Sequence, residues 1–262
     1  MSKSLKLNIS TCPNDTFAFE ALINGRIDTR GLSFDVSLMD IECLNNAALK
    51  GEVDICKISF SLYPEIEQNY RILNCGAALG NNNGQVFVRR SGDTHPITRI
   101  AIPGIHTTAF ALLRNYFPQY SDAEFIPMLF SEIPSAISSG RVDAGVLIHE
   151  GRFTYQNLGL TLIADLGEMW LNDKHLPLPL GGIVAKRSLD SQMANTIESV
   201  ILDSICYAID HPTVSLPFIK QYAAEYDDNI IAQHIHLFVN TYTLDLGETG
   251  VIALEELTGC KL

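Results

Sequence analysis

Ala47-Ala48-Leu49-Lys50-Gly51-Glu52-Val53-Asp54-Ile55 and Ala136-Ile137-Ser138-Ser139-Gly140-Arg141-Val142-Asp143-Ala144 align without a gap. Each reads as the end of a helix, a glycine that stops it, and the entry to a buried strand. Glycine suits the stop because it takes the left-handed backbone at no steric cost. Junctions of this kind recur in unrelated chains, so coincidence is the competing reading. Taken as a repeat, the pair implies two equivalent α/β lobes.

Outward from the first copy the same rhythm holds. Residues 5–10 read as a strand, 16–23 as a short helix closed by Asn24-Gly25, 32–38 as a strand with alternating apolar positions, 41–50 as a helix and 53–59 as a strand. The Gly- and Asn-rich stretch 76–84 reads as a loop. A strand at 85–90 follows, and then Ser91-Gly92-Asp93-Thr94-His95-Pro96, the best place for the chain to cross between lobes. The second series has a strand at 99–102, the turn Pro103-Gly104-Ile105-His106, a helix at 107–116, a strand at 125–130, a helix at 132–139 and a strand at 142–149. From Leu189 onward the pattern is helical: 192–209, a helix from His211-Pro212 toward Tyr226, 228–239 and 248–257. This tail is expected to pack on the first lobe. Two such lobes leave a cleft at the carboxyl ends of their strands, where ligands favour open α/β sheets.

Composition narrows the function. At 262 residues and 47% hydrophobic the chain fills a real core. Its apolar runs, such as 142–148, are far shorter than the roughly 20 residues of a membrane span. The first ten residues lack the apolar stretch and cleavage site of a secretory signal, so a cytoplasmic location is expected. The six cysteines show no CxxC or zinc spacing. A net charge of -12, with 18 basic residues that never cluster, argues against nucleic acid and anionic membranes as partners. A small anion is still open to capture by N–H groups at a helix start.

Four segments follow strands that face the expected cleft. In Ser10-Thr11-Cys12-Pro13-Asn14-Asp15-Thr16-Phe17, the residues Asn14, Asp15 and Thr16 either cap the helix that begins there or line a pocket built on it. In Asp54-Ile55-Cys56-Lys57-Ile58-Ser59, a lysine interrupts an apolar strand and its ammonium must reach solvent or an anion. Pro103-Gly104-Ile105-His106-Thr107-Thr108 sets two hydroxyls at a helix start, which suits a carboxylate or phosphate, or else plain capping by Thr107. His149 and His106 stand at strand ends facing the cleft, whereas His211, His234 and His236 fall in the helical tail. A histidine at such an end is either a general base or a hydrogen-bonding core residue. Walker, GxSxG, HExxH and EF-hand motifs do not occur, which leaves cofactor-free acid–base chemistry or plain binding of a small molecule.

Taken together, Cys12-Pro13-Asn14-Asp15-Thr16-Phe17, Gly76-Ala77-Ala78-Leu79-Gly80, Pro103-Gly104 with His106-Thr107-Thr108, His149-Glu150 with Arg152-Phe153-Thr154-Tyr155, and Leu176-Pro177-Leu178-Pro179-Leu180-Gly181 closely resemble the 1,4-dihydroxy-6-naphthoate synthases of the futalosine route to menaquinone. The resemblance runs from about residue 5 to residue 255. It implies an α/β, two-lobed, type II periplasmic-binding-protein-like fold, here divided as 1–92 with 183–262 (lobe I) and 93–182 (lobe II). It also implies a cytoplasmic carbon–carbon lyase that uses no metal or organic cofactor and converts cyclic dehypoxanthinylfutalosine to 1,4-dihydroxy-6-naphthoate. On the matching motif the proton-abstracting base falls on His149, and the substrate-binding segments on Cys56, Lys57 and Ile58 and on Thr107 and Thr108. Asn14, Asp15 and Ser59 are expected near them from their strand-end positions. Departures from the family pattern are mild: Thr11 stands where proline is more frequent, and Gly151 where serine or alanine is. The rivals are a solute-binding protein without catalysis, which predicts an export signal, and the chorismate dehydratase of the same pathway, whose motifs around the cleft differ from His149-Glu150 and Pro177–Gly181.

Overall fold

The computed structural model describes residues 4–81, 84–149, 151–223 and 227–262. Met1 to Lys3, Asn82 and Asn83 of the glycine-rich loop, Glu150 of the His149 motif and the end of the helix read toward Tyr226 lie outside the described residues. The strands are β1 (Leu5–Ser10), β2 (Phe34–Met39), β3 (Ile55–Ser59), β4 (Tyr70–Ile72), β5 (Ala78–Gly80), β6 (Val86–Arg90), β7 (Arg99–Ile102), β8 (Glu124–Pro127), β9 (Ala144–Leu147), β10 (Leu160–Asp165) and β11 (Leu178–Lys186).

They form two sheets of one design. The first has the order β2-β1-β3-β11-β4, with β5 beside β11; the second, taken from its far edge, runs β8-β7-β9-β6-β10. In each, a first strand lies between its second and third in parallel, and an antiparallel strand covers the third. That antiparallel strand is the one that has just crossed from the other sheet, β11 in the first and β6 in the second. The sequence repeat is thus a repeat in space: Gly51 (φ 65°) and Gly140 (φ 75°) both stop a helix in the left-handed region and lead into the equivalent strands β3 and β9.

Several elements depart from the sequence reading. Val86–Arg90, taken above as the last strand of the first series, belongs to the second sheet, because its backbone groups pair with β9 and β10. The chain therefore crosses between Gly80 and Val86. Segment 91–96 is instead a turn organised by Asp93, which accepts from the His95 N–H and from Arg90. β11 lies wholly in the first sheet, so the return crossing precedes Leu178. The stretch 76–84 contains strand β5 rather than loop alone.

Each sheet is covered on both faces. Leu7, Ile9, Ile55 and Ile183 pack against helices Pro13–Ile23 and Ser191–Asp210, while Cys56, Ile58 and Val184 pack against Leu44, Tyr63 and Ile66 on the opposite face. The second sheet is covered by helix Thr108–Tyr116 on one side and Ile133–Ser138 on the other. The helical tail packs back on the first lobe through Ala208, Ile219 and Ile231 around Phe17, as expected. Among the described residues no helix is long and apolar enough to cross a membrane.

Gly182 in β11 shows how tightly the first sheet is filled: an added Cβ would lie 2.3 Å from the ring of Phe60, which is itself fully buried. Gly182→Ala is therefore expected to lower stability by about 1–3 kcal/mol, the usual cost of overpacking. Urea denaturation measures it, and an unchanged midpoint would show that the ring moves freely.

Candidate functional site

The end of β3 and the segments that follow β1, β7 and β9 converge on a cavity of about 660 Å³, part of it open to solvent. Both sheets contribute to its wall: Asn14, Asp15, Lys57 and Ser59 from the first, Thr107, Thr108 and His149 from the second.

The floor of the cavity is organised by a buried ion pair. Strand β3 is closed to solvent along its whole length, so the Lys57 ammonium cannot snorkel out. It donates instead to Asp15 Oδ1 at 2.8 Å and to the Gly76 carbonyl at 3.1 Å. Asp15 sits in the first turn of helix Pro13–Ile23, where the helix dipole favours negative charge. The capping role considered for Asn14 and Asp15 is not what they do: Cys12 is the N-cap residue, and Asn14 donates from Nδ2 to Asp15 Oδ1 at 3.0 Å.

His149 occupies an elbow between β9 and the short helix Gly151–Thr154. Its φ of 53° lies in the left-handed region, which few residues other than glycine adopt. Such a conformation persists when its surroundings enforce it. Arg152 supplies part of that enforcement, donating to the Gly84 carbonyl and pairing with Asp165. The ring meets Phe130 edge-on at 4.7 Å, and Cys12 Sγ lies 3.2 Å from both ring nitrogens. Burial pushes the imidazole down from 6.5 to about 4; the Lys57 charge acts in the same direction and Asp40 opposes it. His149 is thus a neutral imidazole near pH 7.

The remaining candidates divide. Thr107 caps helix Thr108–Tyr116, accepting from the Phe110 N–H while donating to the Gly104 carbonyl. Thr108 donates to the Leu180 carbonyl at 2.9 Å. Both hydroxyl protons are therefore engaged, and what these residues offer a ligand is oxygen lone pairs and first-turn N–H groups. Ser59 Oγ accepts from Asn45 Nδ2 at 3.2 Å. Alternation along β3 turns the side chains of Cys56 and Ile58 away from the cavity, into the core with Leu44 and Tyr63. His106 does not line the cavity either. Its Nδ1 lies 2.8 Å from Glu42 Oε1, which ties the turn before Thr107 to helix Ile41–Leu49.

Two side chains of the cavity wall escaped the sequence reading. Cys12 was quoted within its motif but given no role, although it touches His149. His234 was set aside with the helical tail, yet helix Asp228–Phe238 brings it to the cavity wall, with its ring centroid 6.1 Å from that of His149. Periodicity carries no signal for either contact. Among the described residues no group of three or more acidic, His or Cys side chains is placed to hold a metal ion.

A family model described as menaquinone biosynthesis matches residues 5–260. A protein of Streptomyces coelicolor named 1,4-dihydroxy-6-naphthoate synthase is 39% identical over 97% of this chain and 91% of its own length. One of the same name from Thermus thermophilus is 37% identical over 97% of this chain and 93% of its own. The crystal structure of an Archaeoglobus fulgidus protein superposes with a TM-score of 0.91 at 33% identity, covering 98% and 96% of the two chains. A Candida albicans protein described as having the generic periplasmic binding protein fold gives a TM-score of 0.72 at 13% identity, covering 97% and 89%. The fold is of that periplasmic-binding-protein-like kind.

The ion pair sets a stability prediction. Lys57→Met leaves the Asp15 carboxylate buried without its cation, a change that typically costs about 3–5 kcal/mol. Equilibrium unfolding of the variant measures the loss, and one below about 1 kcal/mol would mean that water reaches Asp15.

Proposed function

Because the chain belongs to the menaquinone biosynthesis family, we propose that it is the enzyme that converts cyclic dehypoxanthinylfutalosine into 1,4-dihydroxy-6-naphthoate, with His149 as the base. The observation that carries this reading is a neutral imidazole, held at a strained elbow, in the wall of a cavity built by both lobes.

His149 removes a proton from the sugar-derived carbocycle. The electron pair left on carbon forms a double bond as a neighbouring carbon–carbon bond breaks, the three-carbon fragment departs with the bonding pair and takes back the proton held by the His149 imidazolium, and the remaining ring becomes aromatic, which makes the sequence downhill. A base must be unprotonated before it acts, and burial of His149 secures that at neutral pH. The substrate carboxylate raises the proton affinity of the imidazole as it binds, since a nearby negative charge favours the cation. That carboxylate is held at the start of helix Thr108–Tyr116, where the first-turn N–H groups of Thr108 and Ala109 and the helix dipole act together. Lys57, Asp15, Asn14 and Ser59 form the opposite wall. Chemistry of this kind needs oriented donors and a base rather than a cofactor, and it suits a cytoplasmic enzyme acting on a soluble small molecule.

The test is turnover of cyclic dehypoxanthinylfutalosine by the purified, metal-free protein and by its His149→Ala variant, with 1,4-dihydroxy-6-naphthoate followed by chromatography. Product from the wild type and a loss of at least ~100-fold in the variant are expected, the lower range for a general base. A wild-type protein that binds the compound without forming product would make it a binding protein instead.

A further inference from the structure

His234 is 1% exposed, and its Nε2 lies 3.0 Å from Asn14 Oδ1. The polarity of this contact is fixed from its other end. Lys57 Nζ and Asn14 Nδ2 both donate to Asp15 Oδ1, so Asn14 Oδ1 is left as an acceptor and His234 Nε2 carries the proton. Nδ1 of the neutral ring is then a lone pair. Among the described residues it has no hydrogen-bond partner, although it is buried and its residue lines the cavity. Gln85 Oε1 is also buried without a partner and lines the same cavity, whereas the two other such atoms, Arg71 Nε and Arg89 Nε, belong to residues that do not.

An acceptor buried without a donor is costly, so its presence in a cavity wall points to a ligand that supplies one. A carboxylate or phosphate has no proton to give and would face the lone pair. A hydroxyl fits. Burial also holds the His234 ring well below its ordinary pKa, so it does not become a donor near neutral pH. We propose that His234 Nδ1 accepts a hydrogen bond from a hydroxyl on the ligand's sugar-derived ring and thereby positions that ring against His149. This rests on the reading of the cavity as the site for that substrate. It orients the molecule, with the carboxylate toward Thr108 and the hydroxylated ring toward the helical tail.

Two substitutions separate the ligand contact from the contact with Asn14. The glutamine amide reaches the position of Nε2, and the asparagine amide that of Nδ1. His234→Gln keeps the partner of Asn14 and removes the unpartnered acceptor; His234→Asn does the reverse. Calorimetry with cyclic dehypoxanthinylfutalosine, carried out in the His149→Ala background so that the compound is not consumed, should show about tenfold weaker binding when His234→Gln is added, the effect of one lost hydrogen bond. KM should rise in step, with a smaller change in kcat, and His234→Asn should recover most of the affinity. Equal Kd with and without His234→Gln in that background, or an asparagine variant no better than the glutamine one, would overturn the proposal. If the wild type binds the compound without turning it over, only the enzyme reading fails, because the ratio of Kd values still decides the role of His234. A wild-type protein that does not bind it overturns both.

Discussion

The buried contact between Lys57 and Asp15 is the constraint on which the site depends. Bringing two charges out of water costs several kcal/mol per ion, and the loss is offset only when geometry and further hydrogen bonds are good. Here the ammonium has two acceptors and the carboxylate oxygen two donors, all at 2.8–3.1 Å. The pair fastens helix Pro13–Ile23 to β3 and to the Gly76 backbone. It also sets the direction of every polar contact that follows, through Asn14 to His234, and its positive end faces His149 across the cavity and disfavours the imidazolium.

The fold makes such a site affordable. Each sheet is completed by a strand that has crossed from the other, so two lobes are linked by short connections and the carboxyl ends of β1, β3, β7 and β9 meet over one cavity. Rigid strands deliver Lys57 and Ser59, helix starts deliver Asp15 and Thr108, and a strained elbow delivers His149. Glu42 strengthens the junction by accepting from the Ile105 and His106 N–H groups as well as from the His106 ring, so it closes one side of the seam between the lobes.

Much of this was legible in the sequence, for reasons that can be named. The helix-Gly-strand repeat marked the two lobes because a left-handed glycine stop and an apolar strand leave a plain pattern. Strand β11 was not legible: Pro179, Gly181 and Gly182 all count against a strand, and the ladder admits the proline through an irregularity between Pro179 and Gly181. Nor could periodicity tell which sheet would receive Val86–Arg90. That the side chains of Cys56 and Ile58 point away from the cavity followed from a rule that was available, since a strand that turns Lys57 to the cavity must turn its neighbours away. His234 lay beyond reach because its partner Asn14 is 220 residues away along the chain.

The most direct test of the central claim is the titration of the His149 ring in the free wild-type protein, followed by NMR with assignment through His149→Gln. A midpoint of about 4 is expected, below the ordinary 6.5, because burial and Lys57 both disfavour the cation. The sign carries to stability: between these two values the unfolded chain binds the proton and the folded one does not, so stability falls as the pH drops through that window. A midpoint at or above 6.5 would contradict the account, for it would mean that the cavity neither desolvates His149 nor holds a buried cation beside it.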